Sequence, residues 1–157
     1  MATFQSAVVE TFQLRMDPDA ALAFFADLDN NIRFAHDIES HEKRGPDSVL
    51  YVLKEQRSGT TTYKPRYVLR YTADPAARTL RWTQLDEPGS TMKIRGIARF
   101  SGPAGGPTTL HWDEQVEAEV PVNRLLAAAV RPVAEGLIRR GIRGFVERMI
   151  PAAEARA

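Results

Sequence analysis

The stretch VNRLLAAAVRPVAEGLIRRGIRGFVERMI, residues 122–150, decides the fold of this chain. Its apolar side chains recur every three or four residues, which predicts a helix of roughly 29 residues. The side chains of this apolar face are Val122, Leu125, Leu126, Ala129, Val130, Val133 and Leu137. Such a face must be covered, and the preceding residues, from about 37 to 120, read almost entirely as strands. We therefore expect the helix to lie across a sheet and to enclose space with it.

The apolar face of this helix changes direction part-way along its length. A second group lies more than about 100° around the helix from the first, and it comprises Ile138, Ile142, Phe145 and Met149. Because Pro132 removes a backbone donor and three glycines follow it, we expect a kink or break near residues 131–136. Two arrangements are open at this point. Either the first half covers a cavity while the second half packs on the sheet, or Arg140 or Arg143 reaches the cavity mouth and meets an anionic ligand head.

The residues before this helix predict an α+β domain with a curved, seven-stranded antiparallel sheet. Alternation over Phe4–Leu14 indicates the first strand, and Asp17 with Pro18 begins a short helix that ends at about Leu28. A second helical turn includes Ile32 and Phe34. Turns such as Ser58-Gly59 separate six further strands, which we predict at 37–44, 48–57, 62–73, 78–86, 91–101 and 107–120. We expect one domain over residues 1–151 and a flexible tail over 152–157.

Strand alternation also predicts which side chains line the enclosed space. Tyr67, Leu69 and Tyr71 share one face of their strand, whereas Arg66 and Arg70 share the other. The complete set of predicted lining residues is Tyr63, Tyr67, Leu69, Tyr71, Trp82, Ile94, Trp112, Glu114, Leu126, Val130 and Val133. The aromatic members of this set fit either ordinary core packing or contact with an apolar ligand.

Glu114 is the exception on this apolar face. A carboxylate that loses water on burial must be paired, hydrogen-bonded, protonated or turned towards a wet cavity. In a purely structural role, the buried carboxylate of Glu114 would accept hydrogen bonds from a tyrosine hydroxyl or an arginine. Its functional role would be that of a ligand anchor or a general acid/base, because burial raises the pKa of a carboxyl group. Glu10 falls on the apolar phase of its own strand, and repulsion between the two carboxylates would raise one pKa further if they met.

Composition excludes several classes of function. The 157 residues carry a formal net charge of +1, which provides no broad field for nucleic acid, and the basic residues alternate away from the aromatic ones. Absence of cysteine removes thiolate metal sites, and His36 and His41 lack further clustered ligands, so we expect no metal and no cofactor. No apolar run approaches the ~18 residues needed to span a bilayer, and residues 1–10 carry neither a basic start nor an apolar core of signal length, so we expect no signal peptide. We expect a cytoplasmic protein with no stable membrane insertion.

This layout resembles the helix-grip fold of the START-like (Bet v 1-like) superfamily, in its bacterial polyketide cyclase/dehydrase and lipid-transport branch. The resemblance spans roughly Phe4 to Ile150, and it rests on Asp17-Pro18, the run Phe25–Asn30, Arg81-Trp82, Gly105-Gly106, Leu110-His111-Trp112 and the pattern from Arg124 to Pro132. It implies a hydrophobic cavity between sheet and terminal helix that binds lipids, polyketides, sterols or other apolar ligands. Only some members of the superfamily are catalytic, and no catalytic residue is universal among them.

Three hypotheses of function follow. The first is a non-catalytic carrier or sensor of a hydrophobic small molecule, oriented by Glu114, a tyrosine hydroxyl or a helix arginine. The second is a polyketide cyclase or aromatase in which Glu114 or a tyrosine moves protons. The third is an interaction module whose terminal helix engages a partner or membrane surface through Arg131, Arg139, Arg140, Arg143 and Arg148. The ligand's identity and the oligomeric state are not predicted.

Overall fold

The computed structural model describes residues 1–58 and 60–156, a part of the chain that contains three helices and nine strands. In chain order these elements are β1 (Ala2–Leu14), α1 (Pro18–Ala26), α2 (Leu28–Phe34), β2 (Ile38–Lys43), β3 (Ser48–Leu53), β4 (Gln56–Ser58), β5 (Thr61–Tyr63), β6 (Arg66–Asp74), β7 (Thr79–Leu85), β8 (Met92–Ser101), β9 (Thr108–Val120) and α3 (Arg124–Glu154). Gly59, part of a predicted turn, lies outside the described residues.

Seven strands form one antiparallel sheet in the order β1-β9-β8-β7-β6-β3-β2. This sheet, the two short helices and the long terminal helix confirm the predicted helix-grip architecture. β1 is the first strand in sequence but pairs with β9, the last, so the two longest strands lie together at one edge. α3 then follows directly from β9 and runs beside β1, which places the helix over the sheet.

Two predicted strands, 48–57 and 62–73, are wrong as continuous elements. Each is interrupted, and the pieces β4 and β5 pair only with each other as a separate two-stranded sheet. Pro65 provides the physical reason, because proline has no backbone N–H to give to a neighbouring strand. Its carbonyl oxygen still accepts a hydrogen bond from the Leu53 backbone N–H at 2.9 Å, so the main sheet ends at this point. The β4–β5 hairpin therefore forms its own two-stranded ladder, separate from the main sheet.

The two short helices are set by capping aspartates. Asp17 precedes α1 and accepts from the Ala20 backbone N–H at 3.0 Å, as its position before Pro18 predicts. Asp27 ends α1 and caps α2, where its carboxylate accepts from the Asp29 backbone N–H at 2.8 Å. The first helix is therefore shorter than the predicted span to Leu28, since one residue closes the first helix and begins the second.

α3 runs without interruption from Arg124 to Glu154, so a break near Pro132 is absent, whereas a kink within the continuous helix stays a prediction. The helix also continues beyond residue 150, which corrects the prediction that residues 152–154 belong to a flexible tail. Ala153 is fully buried, and the Glu154 carboxylate accepts a hydrogen bond from the Arg15 backbone N–H at 2.7 Å. These contacts stabilise the last turn against the body of the domain. Ala157 lies outside the described residues.

The two halves of α3 have different surroundings. In the second half Val146 and Met149 are buried in the main core, together with α1 and the inner face of the sheet. In the first half Val133 and Leu137 are 63% and 54% exposed, and Leu125 is 89% exposed. The structure therefore agrees with the first of the two predicted arrangements. The second half of α3 packs on the sheet, and first-half residues such as Val130 and Val133 border a space between helix and sheet, although Leu125 faces solvent. The sheet and the first half of α3 border an open space instead of packing directly against each other.

Candidate functional site: a cavity under the terminal helix

A cavity of about 740 Å³ lies between the inner face of the sheet and α3. It is bordered by every residue predicted to line it: Tyr63, Tyr67, Leu69, Tyr71, Trp82, Ile94, Trp112, Glu114, Leu126, Val130 and Val133. The strands contribute mainly aromatic side chains and the helix contributes aliphatic ones. The exposure of Val133 and Leu137 reflects their position at the opening, where they face cavity and solvent together.

Three residues on neighbouring strands build the polar centre of the cavity. Trp82 on β7 lies opposite Gly96 on β8, and Gly96 lies opposite Glu114 on β9. A methyl group placed on Gly96 would overlap the Trp82 ring, so the indole lies directly over this glycine. The ring thereby reaches across β8, and its Nε1–H donates to Glu114 Oε1 at 2.7 Å. Gly96 is essential to this geometry although sequence reasoning did not single it out; a glycine inside a strand was the available signal.

The Glu114 carboxyl group is buried at this centre. Burial raises its pKa from 4.5 to about 7, while the hydrogen bond from Trp82 acts in the opposite direction and favours the carboxylate. The Trp112 indole also favours the carboxylate, although its nitrogen makes no hydrogen bond of standard geometry within the described chain. The predicted partner, a tyrosine hydroxyl or an arginine, is therefore wrong: the partner is an indole. Near neutral pH the protonated and the ionised forms of Glu114 are therefore present in comparable amounts, so the group can act as an acid or as a base.

Tyrosine hydroxyls surround this carboxyl group on the β3–β6 side of the cavity. Tyr51 and Tyr71 share a hydrogen bond of 2.7 Å between their hydroxyls, whereas the Tyr67 hydroxyl has no hydrogen-bond partner within residues 1–58 and 60–156. Burial raises the pKa of Tyr51 to about 12 and raises the pKa of Tyr67 and Tyr71 as well. All three are therefore neutral at physiological pH. Tyr51 was missed because β3 is almost continuously apolar, which hides its alternation.

The two tryptophans form the wall beside the carboxyl group. Their ring centroids lie 4.5 Å apart, and Phe145 from α3 approaches Trp112 at 6.2 Å. These tilted rings provide an apolar wall next to Glu114, the only acidic group among the described lining residues that lies away from the exposed rim. An apolar molecule lying on them would have one polar end within reach of Glu114.

Asn31 is a further buried polar lining residue, and its side-chain amide donates to the Phe25 and Asp27 carbonyl oxygens. The charged lining residues other than Glu114 lie at the rim. His36, Asp37 and Arg57 are exposed, and Arg148 is half-buried with its Nε–H donating to the Phe34 carbonyl oxygen at 2.9 Å. None of these four was predicted to line the cavity, although Arg148 was among the arginines predicted to contact a partner. The α2–β2 connection and the β4–β5 hairpin bring them together from separate parts of the sequence, so no local pattern marks them.

The predicted contact of Arg140 or Arg143 with a ligand head is not supported by their positions. Neither residue borders the cavity. Arg143 donates from Nε to Glu10 Oε2 at 2.9 Å, because this face of α3 lies along β1. Glu10 is thus neutralised by an arginine rather than placed against Glu114. Arg131 and Arg139 also bond to β1, to the Thr3 carbonyl oxygen and the Ser6 hydroxyl.

Two further observations concern the described residues only. Within residues 1–58 and 60–156, no three His, Asp or Glu side chains gather in a group that could hold a metal ion. Among the three helices of this part of the chain, none is long and apolar enough to cross a membrane.

Comparison with known families and structures agrees with this geometry. The sequence profile of a family described as polyketide cyclase/dehydrase and lipid transport matches residues 5–150. No curated protein matches the chain. Among solved structures, a protein from Thermus thermophilus has a TM-score of 0.72 at 15% identity, covering 96% of this chain and 99% of its own.

Other solved structures share the architecture at similar distance. The Zhui aromatase/cyclase from Streptomyces sp. R1128 has a TM-score of 0.64 at 15% identity, covering 97% of this chain and 95% of its own. A START superfamily protein from Mycobacterium smegmatis has a TM-score of 0.58 at 13% identity, covering 93% of this chain and 97% of its own. At these identities the similarity establishes the fold and not the activity.

Proposed function

Because the chain belongs to the polyketide cyclase/dehydrase and lipid transport family, we propose that it binds a hydrophobic small molecule in the cavity under α3. The observation that carries the proposal is the open space itself, about 740 Å³ between sheet and helix with mostly apolar lining. Ligand pockets for drug-sized molecules span about 300–1,000 Å³ and combine apolar walls with a few convergent polar groups. Burial of the ligand's apolar surface supplies affinity, and Glu114 with the tyrosines orients the molecule.

The test combines mass measurement with a matched pair of variants. Native mass spectrometry of the purified protein, before and after organic extraction, is expected to show an apolar mass that extraction removes. The extracted protein is then titrated with a panel of fatty acids, quinones and aromatic polyketides. An empty protein that ignores the whole panel would refute the proposal.

Two adjacent alanines of α3 provide the matched control. Ala129 borders the cavity, whereas Ala128 is exposed and does not border it. Ala129→Trp should lower affinity about tenfold or more by filling ligand space, while Ala128→Trp should bind like the wild type. Equal binding by the two variants would place the ligand elsewhere.

One observation favours a second candidate, a cyclase of the polyketide type. Glu114 has a pKa of about 7 in a mainly apolar cavity that the Tyr67 hydroxyl also lines, which suits proton transfer at neutral pH. The carboxylate would take a proton from the carbon between two ketones. The enolate carbon would then bond to the carbon of a third carbonyl, which closes the ring and turns that carbonyl oxygen into an alkoxide. The alkoxide would take the proton now held by Glu114, directly or through the Tyr67 hydroxyl, which restores the carboxylate. In a second step the carboxylate would take the remaining proton of the same carbon and deliver it to the new hydroxyl, which leaves as water while a carbon–carbon double bond forms.

The two candidates differ in a measurable way. With a poly-β-keto thioester as substrate, a cyclase should form ring products with loss of water, and Glu114→Gln should abolish turnover while the thioester still binds. Absence of products above the protein-free background, or full turnover by the variant, would exclude this role for Glu114. Neither result bears on simple binding, which the mass measurement tests separately.

A further inference from the structure

The two oxygens of Glu114 are not equivalent. Oε1 accepts the Trp82 indole N–H at 2.7 Å, whereas Oε2 receives no hydrogen bond of standard geometry within residues 1–58 and 60–156. Glu114 borders the cavity, so a molecule inside it lies within reach of the carboxyl group. A partly buried carboxylate among apolar walls gains from a further donor, because those walls provide no hydrogen bond to its second oxygen.

The second polar group available to a ligand is the Tyr67 hydroxyl. It also borders the cavity and has no hydrogen-bond partner in the described chain, unlike Tyr51 and Tyr71, which bond to each other at 2.7 Å. A hydroxyl both donates and accepts. The buried end of the cavity therefore offers one acceptor and one group of either role, while Arg57 and Arg148, its positive lining residues, lie at the rim.

Resting on the proposed function, we propose that Glu114 selects apolar ligands whose buried end carries a hydroxyl group, which donates to Oε2 and accepts from Tyr67. The Trp82 and Trp112 faces hold the ring or chain that bears this hydroxyl. A ligand carboxylate at the same position would face Glu114 with like charge, so a fatty acid does not enter with its head group first. Glu114 is thus the specificity-determining residue of the cavity, and Trp82 is the positioning residue that orients it.

A matched pair of neutral compounds isolates this effect. The pair is 1-(naphthalen-2-yl)ethanol and 2-acetylnaphthalene, which share a skeleton but carry a hydroxyl donor and a ketone acceptor respectively. Calorimetric titration at about pH 8.5, where Glu114 is ionised, should show the wild type preferring the alcohol by about tenfold or more. 2-Naphthoate, the charged arm of the series, should bind more weakly than the alcohol.

The variant Glu114→Gln should reverse the preference. Its amide oxygen can still accept from Trp82, but an NH₂ group then takes the place of Oε2 and donates to the ketone. We expect the ratio of alcohol to ketone affinity to fall about tenfold or more in this variant and to stay unchanged in Ala128→Trp. Circular dichroism melting verifies that the variant is folded, and the wild-type ratio alone remains decisive if it is not.

The outcomes separate this inference from the function on which it rests. If the wild type binds alcohol and ketone equally, or binds 2-naphthoate as tightly as the alcohol, the selection of a hydroxyl is refuted while hydrophobic binding stands. If none of the three compounds binds, the inference fails. If no extractable mass and no member of the wider panel is found either, the proposed function fails with it.

Discussion

Replacing Gly96 by alanine tests the arrangement that supports Glu114. The added methyl group would overlap the six-membered ring of Trp82, and the glycine has no positive φ, so the substitution changes space and not backbone preference. Overpacking of this kind costs about 1–3 kcal/mol. If the indole swings away to relieve the overlap, Glu114 loses its only standard hydrogen bond within the described chain, which adds about 1.5–3 kcal/mol.

Urea denaturation measures this loss, and tryptophan fluorescence locates it. The chain has two tryptophans, Trp82 and Trp112, whose ring centroids lie 4.5 Å apart, so emission reports directly on the site. Gly141→Ala is the matched control, because nothing lies within 4 Å of the added methyl group and alanine favours a helix by about 0.5–1 kcal/mol. A Gly96→Ala protein as stable as the wild type, with unchanged emission, would refute the reasoning.

Three further predictions follow from the same structure. Glu114 binds its proton more tightly in the folded state than in the unfolded chain, so the free energy of unfolding of the wild type, relative to that of Glu114→Gln, should fall by about 3 kcal/mol as pH rises from 4.5 to about 7. Denaturation curves of both proteins across this pH range measure this difference. A difference that does not change with pH would contradict the raised pKa. Trp82→Phe removes the N–H that favours the carboxylate, so the Glu114 pKa should move above about 7, as carbon NMR of labelled glutamate can show; a pKa that falls or stays in place would contradict the assigned hydrogen bond. Ala153→Asp buries a charge at the end of α3 and should lower the free energy of unfolding by at least about 2 kcal/mol, seen as a lower melting temperature. Ala155→Asp, at an exposed position, should have no such effect. Equal effects of the two substitutions would support a flexible tail over residues 152–157.

The fold was predictable because several independent patterns agree. Period-two alternation, turn residues at each reversal and one long helical repeat specify an antiparallel meander closed by a helix. The errors lie where one residue overrides its neighbours. Pro65 ends a strand that apolar content alone would continue, and Asp27 divides what reads as one helix into two.

The cavity wall was likewise predictable, since alternation assigns each strand side chain to one face. The partners of its polar groups were not, because they depend on distances between separate strands. The Trp82 indole reaches Glu114 only because Gly96 on the intervening strand has no side chain. For Arg143 the prediction itself was wrong. Its angular position on the helix predicted that it faces the cavity, whereas α3 lies along β1 and Arg143 bonds to Glu10.

α3 is buried at both ends, whereas its middle turns contact β1 on one side and border the cavity on the other. Near its start, Val122 and Ala127 are buried with Phe4 in a small cluster of their own, and near its end Val146 and Met149 belong to the main core. Val133 and Leu137 lie in these middle turns, border the open space and are more than half exposed. Substitutions at these two positions should therefore change the shape of the cavity at little cost in folding stability, so that the interior volume and the stability of the fold can vary independently.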